Sequence, residues 1–170
     1  AGHPLTEASS ASFGVKGTIV MADPAALLTI GTAENLTWTK TDTIATVDIF
    51  YSTDGSTWTT INAGTAGTSY SWTPPAAAIG TSVRVKAKDA DPAHPLSESQ
   101  SNPFQVQGVL TFTTSPSGTK TVGGAEPVAW TKTSTITNVG LYYVVDGTET
   151  LITTTSATSL GSSTNENAYH

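Results

Sequence analysis

Phe104-Gln105-Val106-Gln107-Gly108 has a twin near the start of the chain, Phe13-Gly14-Val15-Lys16-Gly17. The likeness extends upstream, where His94-Pro95-Leu96-Ser97-Glu98 answers His3-Pro4-Leu5-Thr6-Glu7. Both pairs of blocks stand 91 residues apart (13 to 104), and a constant offset marks a repeat. Each block reads as a polar loop followed by a short alternation of apolar and other residues, the period of a half-buried strand. The chain therefore opens on the closing strand of one domain, runs through a second, and enters a third segment that copies it.

Between the twin blocks, short apolar alternations recur with turn signals between them. Leu36 and Trp38 share one face of a strand; Val47, Ile49 and Tyr51 share a face of the next, with Phe50 opposite. Asp54-Gly55 predicts a primed hairpin turn, because Asp-Gly tolerates the positive φ such turns require. Trp58 and Ile61 fall on the return strand, and Tyr70 and Trp72 on another that Pro74-Pro75 ends. Val83-Arg84-Val85-Lys86-Ala87-Lys88 alternates apolar and basic without a break. No helical period appears, and short strands at this spacing predict a β-sandwich.

After Gly108 the pattern repeats. Trp130-Thr131-Lys132-Thr133 copies Trp38-Thr39-Lys40-Thr41, with an offset of 92 (38 to 130) after one inserted residue near Pro116-Ser117-Gly118. Ile136, Val139, Leu141, Tyr143, Asp146 and Gly147 fall on Ile44, Val47, Ile49, Tyr51, Asp54 and Gly55. Counterparts of Val83–Lys88 and Pro103–Gln107 are missing. The expected division is a closing or donor strand over 1–17, a first domain over 18–107, and an incomplete second domain over 108–170. Gly17 and Gly108 each lead directly into the next strand, which predicts domains stacked as a stiff rod.

Composition narrows function by exclusion. The net charge is −6 with no basic patch, which argues against nucleic acid and anionic membrane as partners. No apolar run reaches the roughly 18–20 residues of a membrane span. The absence of cysteine excludes disulfides, thiolate metal sites and cysteine nucleophiles. Threonine makes up about a fifth of the chain and charge is scarce, as in secreted wall or fibre proteins. The localisation expected is extracellular, at the cell surface.

The Trp-Thr-Lys-Thr run, Tyr51-Ser52-Thr53-Asp54-Gly55, Trp72-Thr73-Pro74-Pro75 and Ser101-Asn102-Pro103-Phe104-Gln105-Val106-Gln107-Gly108 together resemble the tandem Ig-like, fibronectin-type repeats of very large bacterial surface proteins. The resemblance covers nearly the whole chain and implies two tandem Ig-like β-sandwiches with stalk, scaffold or adhesion roles. It carries no catalytic residues, and fold alone does not assign function.

Candidate chemistry is thin. His3 and His94 occupy equivalent loop positions, and none of His3, His94 and His170 has a second histidine nearby in sequence, so no metal site is expected. Asp89, Asp91 and Glu98 offer oxygens for calcium but read more simply as a polar turn. Trp38 and Trp130 repeat at an inward phase and are expected in the core. Trp58, replaced by Thr150 in the second copy, is the tryptophan expected at a surface contact. Neither enzyme chemistry nor a cofactor is expected.

The phase of the repeat points instead to self-assembly. A sandwich without its last strands exposes an apolar groove and an open sheet edge. The 3–17 segment is the closing strand such a groove lacks, with Leu5, Phe13 and Val15 as the side chains to fill it. Donated to a neighbour, it would build a head-to-tail filament. Two other readings stand beside this one: an excerpt of a longer surface stalk or adhesin, and a glycan-binding module.

Overall fold

The computed structural model describes residues 7–41, 43–94, 96–121, 124, 126–133, 135–156 and 158–160. Among them the chain is all-β, apart from one turn of 3-10 helix at Ala76–Ala78. The first copy holds β1 (Ile19–Met21), β2 (Leu27–Thr29), β3 (Glu34–Lys40), β4 (Val47–Ser52), β5 (Thr59–Thr65), β6 (Ser69–Trp72), β7 (Gly80–Asp89), β8 (Glu98–Gln100) and β9 (Phe104–Gln107). One sheet runs β1-β3-β6; the other runs β2-β9-β7-β4-β5, with β8 also pairing β7.

The two sheets close on one core, a sandwich arrangement. β3 contributes Leu36 and Trp38, β4 contributes Val47 and Ile49, and β7 contributes Val83, Val85 and Ala87. Alternation sets this directly: successive side chains of a strand point to opposite faces, so one face buries and the other stays wet. Every second residue of β7 from Val83 to Asp89 is buried. Tyr51, Trp72 and Phe104 stack within the same core, with ring centroids 5.6 and 6.5 Å apart.

The second copy holds β10 (Leu110–Thr114), β11 (Val128–Lys132), β12 (Val139–Val145), β13 (Thr148–Thr155) and β14 (Ser159–Leu160). They form sheets β10-β11-β14 and β12-β13. The registers are those of the first copy. Phe112 opposes Trp130 as Met21 opposes Trp38, and Val128 opposes Leu160 as Leu36 opposes Tyr70. Buried apolar side chains here reduce to Val128, Trp130, Val139 and Leu141.

Three expectations need correction. Residues 7–18, expected to contain a strand at Phe13–Val15, have no regular structure. The equivalent β9 pairs with β7 and β2 on either side, whereas among the described residues no strand pairs with 7–18. The Asp54-Gly55 site is not a two-residue turn either. β4 and β5 are joined by a longer loop in which the Asp54 carboxylate accepts from the Ser52 hydroxyl (2.9 Å) and from the Ser56 and Thr57 N–H groups (2.8 and 2.7 Å). The primed turn forms at Asp146-Gly147 instead, with φ +50° and +79°, directly between β12 and β13. Thirdly, β8 lies where only a loop was expected; it pairs with β7 in the register Lys86 to Gln100.

Candidate assembly surface

β4 is paired on both sides in the first copy. Val47 to Ser52 face Asp89 to Arg84 of β7 along one edge, and β5 lies on the other. β12 is its counterpart but pairs only with β13 among the described residues. Among the described residues, no strand lies on the edge that β7 would occupy. A row of unpaired N–H and C=O groups on such an edge templates the addition of another strand.

The apolar surface around that edge is uncovered as well. Ile19 and Met21 of β1 are each 6% exposed, whereas their counterparts Leu110 and Phe112 on β10 are 49% and 57% exposed. β1 is sheltered by packing on β7 and β8, and the Met21 N–H donates to the Ser99 hydroxyl at 3.1 Å. Nothing in the described second copy stands where β7 and β8 stand in the first. Tyr142, Val144 and Val145 on β12 and Leu151 on β13 are likewise exposed. Exposed apolar side chains become an interaction site when another chain covers them.

At the other end, Phe13 and Val15 are 79% and 77% exposed. Leu5 lies outside the described residues. Phe13 and Val15 correspond to Phe104 and Val106, which are 4% and 2% exposed in the first core. The same side-chain types are thus buried in one setting and fully wet in the other.

The join between a closing segment and the strand that follows is built from the same residue types twice. A Cβ on Gly17 would stand 2.6 Å from Thr41 Oγ1 and 2.7 Å from Ile44 Cδ1; one on Gly108 would stand 2.7 Å from Ile136 Cδ1 and 3.2 Å from Ile79 Cδ1. The Thr18 N–H donates to Thr41 Oγ1 (3.1 Å) and the Val109 N–H to Thr133 Oγ1 (2.9 Å). The Thr41 and Thr133 N–H groups return bonds to the Thr18 and Val109 carbonyls, both at 3.0 Å. Lys40 Nζ donates to the Ile44 and Ala45 carbonyls, and Lys132 Nζ donates to the Thr137 carbonyl at 2.9 Å. Gly17-Thr18 thus meets the Thr-Lys-Thr run of the first copy as Gly108-Val109 meets that of the second. The paired spacing of Gly and Thr-Lys-Thr was visible in the sequence; the contact between them was not.

Trp38 and Trp130 are buried as expected, and among the described residues the indole N–H of each has no hydrogen-bond partner. Trp58 is half-buried rather than bare: Lys86 Nζ sits 4.3 Å from its ring centroid and 3.3 Å from Glu98. That cation–π contact occupies the ring face a ligand would need. Glu98 is thereby drawn away from Asp89 and Asp91, which instead gather around His94. His94 Nδ1 lies 3.0 Å from Asp89 Oδ2, and Nε2 lies 3.5 Å from Asp91 Oδ2. Among the described residues no three acidic or histidine side chains converge as a metal set. His3 and His170 lie outside the described residues.

No helix among the described residues is long and apolar enough to cross a membrane. No protein-family model matches the chain, and no curated protein matches it.

Proposed function

We propose that the chain is a non-enzymatic structural subunit of an extracellular filament, built from Ig-like sandwiches and joined head to tail. In this reading the 3–17 segment of one molecule completes the second copy of the next. The strand order β1-β3-β6 against β2-β9-β7-β4-β5, with β2 parallel to β9, supports the Ig-like assignment. The observation that carries the assembly is the duplicated glycine join: a donated segment would enter the next sandwich at the place and angle β9 already holds. Leu5, Phe13 and Val15 would then cover the surface left wet around Leu110, Phe112 and β12. Each apolar side chain so buried contributes about 1.5–3 kcal/mol. Such a contact does not close on itself, so it propagates.

One observation favours a second reading, a repeat segment of a long surface stalk. The 3–17 segment matches the stretch from His94 through β9 and has no counterpart of β7, the strand that β4 pairs with directly. A tandem array would supply that strand in series. Sedimentation of the chain at low and high concentration separates the two. Mass growing in steps of one subunit, and lost on deleting residues 1–16, supports the filament; a monomer throughout supports the stalk. Glycan contact, the third reading, is checked by titration against tryptophan fluorescence.

A further inference from the structure

The loop between β7 and β8 ties a solvent-facing histidine to the joint where the N-terminal segment meets the first copy. His94 bridges Asp89 and Asp91 through its two ring nitrogens. The Asp89 side chain is only 4% exposed, so its carboxylate depends on this neighbour and on the Asp91 N–H, which donates to Oδ1 at 3.1 Å. The Asp89 N–H donates to the Ser97 carbonyl at 2.8 Å, and the buried Ser97 hydroxyl donates to the Gly17 carbonyl at 2.7 Å. Three links thus run from His94 to Gly17.

We propose that this chain of contacts is a pH-operated clasp that holds the root of the N-terminal segment when His94 is protonated and loosens it when His94 is neutral. Protonated imidazole donates from both nitrogens and satisfies both carboxylates. Neutral imidazole keeps one N–H for Asp89, and its other nitrogen becomes an acceptor turned toward the Asp91 carboxylate. That second contact is then repulsive. Other charges around the cavity of about 350 Å³ at this loop are Asp48 on β4 and Lys88 on β7, and Lys40 on β3 acts on Asp89. His94 is the histidine of this group, and imidazole is the side chain that changes charge between pH 5 and 8.

The direction is consistent. The hydrogen bond to Asp89 raises the His94 pKa above its ordinary 6.5, with burial opposing and the charge of Asp91 assisting. Stability from a raised pKa is fully present below the unfolded value and is lost as pH rises through the folded one. For Asp89, burial pushes its pKa up, but the Asp91 N–H, His94 and Lys40 outweigh it and hold it below 3.8. Its share is present above that value and lost as pH falls through the folded one. The clasp is therefore tightest in mildly acidic solution. It acts within one chain and does not depend on the filament reading.

Amide exchange and backbone relaxation of the whole chain by NMR test it. Between about pH 5.5 and pH 8.5, the protection factor of the Asp89 amide should fall about threefold or more, and Lys16 and Gly17 should gain fast motion together with it. His94→Gln should abolish the pH dependence, and Asp91→Asn should shrink it while lowering the His94 pKa. Protection unchanged across this range, or a fall that persists in His94→Gln, overturns the proposal. So does a fall at Asp89 with no change at Gly17, because the claim is of a coupling.

Discussion

Gly17 and Gly108 show how much one absent methyl group decides. Gly17 is pressed against Ile44 and Thr41, and Gly108 against Ile136 and Ile79, so a side chain at either forces those neighbours aside. Gly17→Ala should cost about 1–3 kcal/mol in urea unfolding, the usual range for overpacking. An unchanged midpoint would mean that the joint yields freely. Asp54 and Asp23 give a second test at this scale. Backbone N–H groups of Thr57 and Ser56 hold Asp54 far below the usual carboxylate range, and the Asn102 N–H and side chain lower Asp23. A lowered pKa contributes stability above the unfolded value of 3.8 that is lost as pH falls through the folded one. The melting temperature should therefore drop on acidification below that value, and drop less in Asp54→Asn, whose neutral pH stability is already reduced. Asp-Gly was legible at both positions as a turn signal. Which turn forms was not, because the loop rests on the Ser52 hydroxyl, which donates to the Asp54 carboxylate and accepts from the Asp54 and Gly55 N–H groups, and Val144 has no hydroxyl.

At the scale of elements, strand β7 separates the two copies. Where it is present, β4 is central and its inward residues vanish from solvent; where it has no described counterpart, β12 is an edge. Ile49→Ala, at a site with no exposure, should cost about 2–5 kcal/mol. Leu151→Ala, at 51% exposure on β13, should shift stability by no more than about 0.5 kcal/mol in the isolated chain. Equal costs in a denaturant series would contradict the asymmetry. The long alternating strands, β3, β4 and β7, were plain from period two alone. The three-residue β2 was readable as a short apolar piece at Leu27–Ile30, though not its parallel pairing with β9, in which Leu27 faces Gln105; β8, also three residues, was not readable, being too short for a period. Contacts between residues so distant in sequence leave no local mark. The N-terminal segment illustrates the converse, since its pattern reads as a strand and, among the described residues, none pairs with it.

For the whole molecule, the sequence repeat made two copies in one orientation readable, and the matched registers of β10-β11-β14 and β1-β3-β6 agree with it. The assembly surface was legible only as a deficit: Leu110, Phe112 and Tyr142 look like ordinary strand residues until the cover of their counterparts is compared. The most direct test is the weight-average mass by sedimentation at two concentrations, for the native chain and for Phe13→Asp with Val15→Asp. A mass that climbs with concentration in the native chain, and stays at one subunit in the double variant, is the predicted result. A native chain that remains a monomer at both concentrations contradicts the proposal that one molecule's leading segment closes the next.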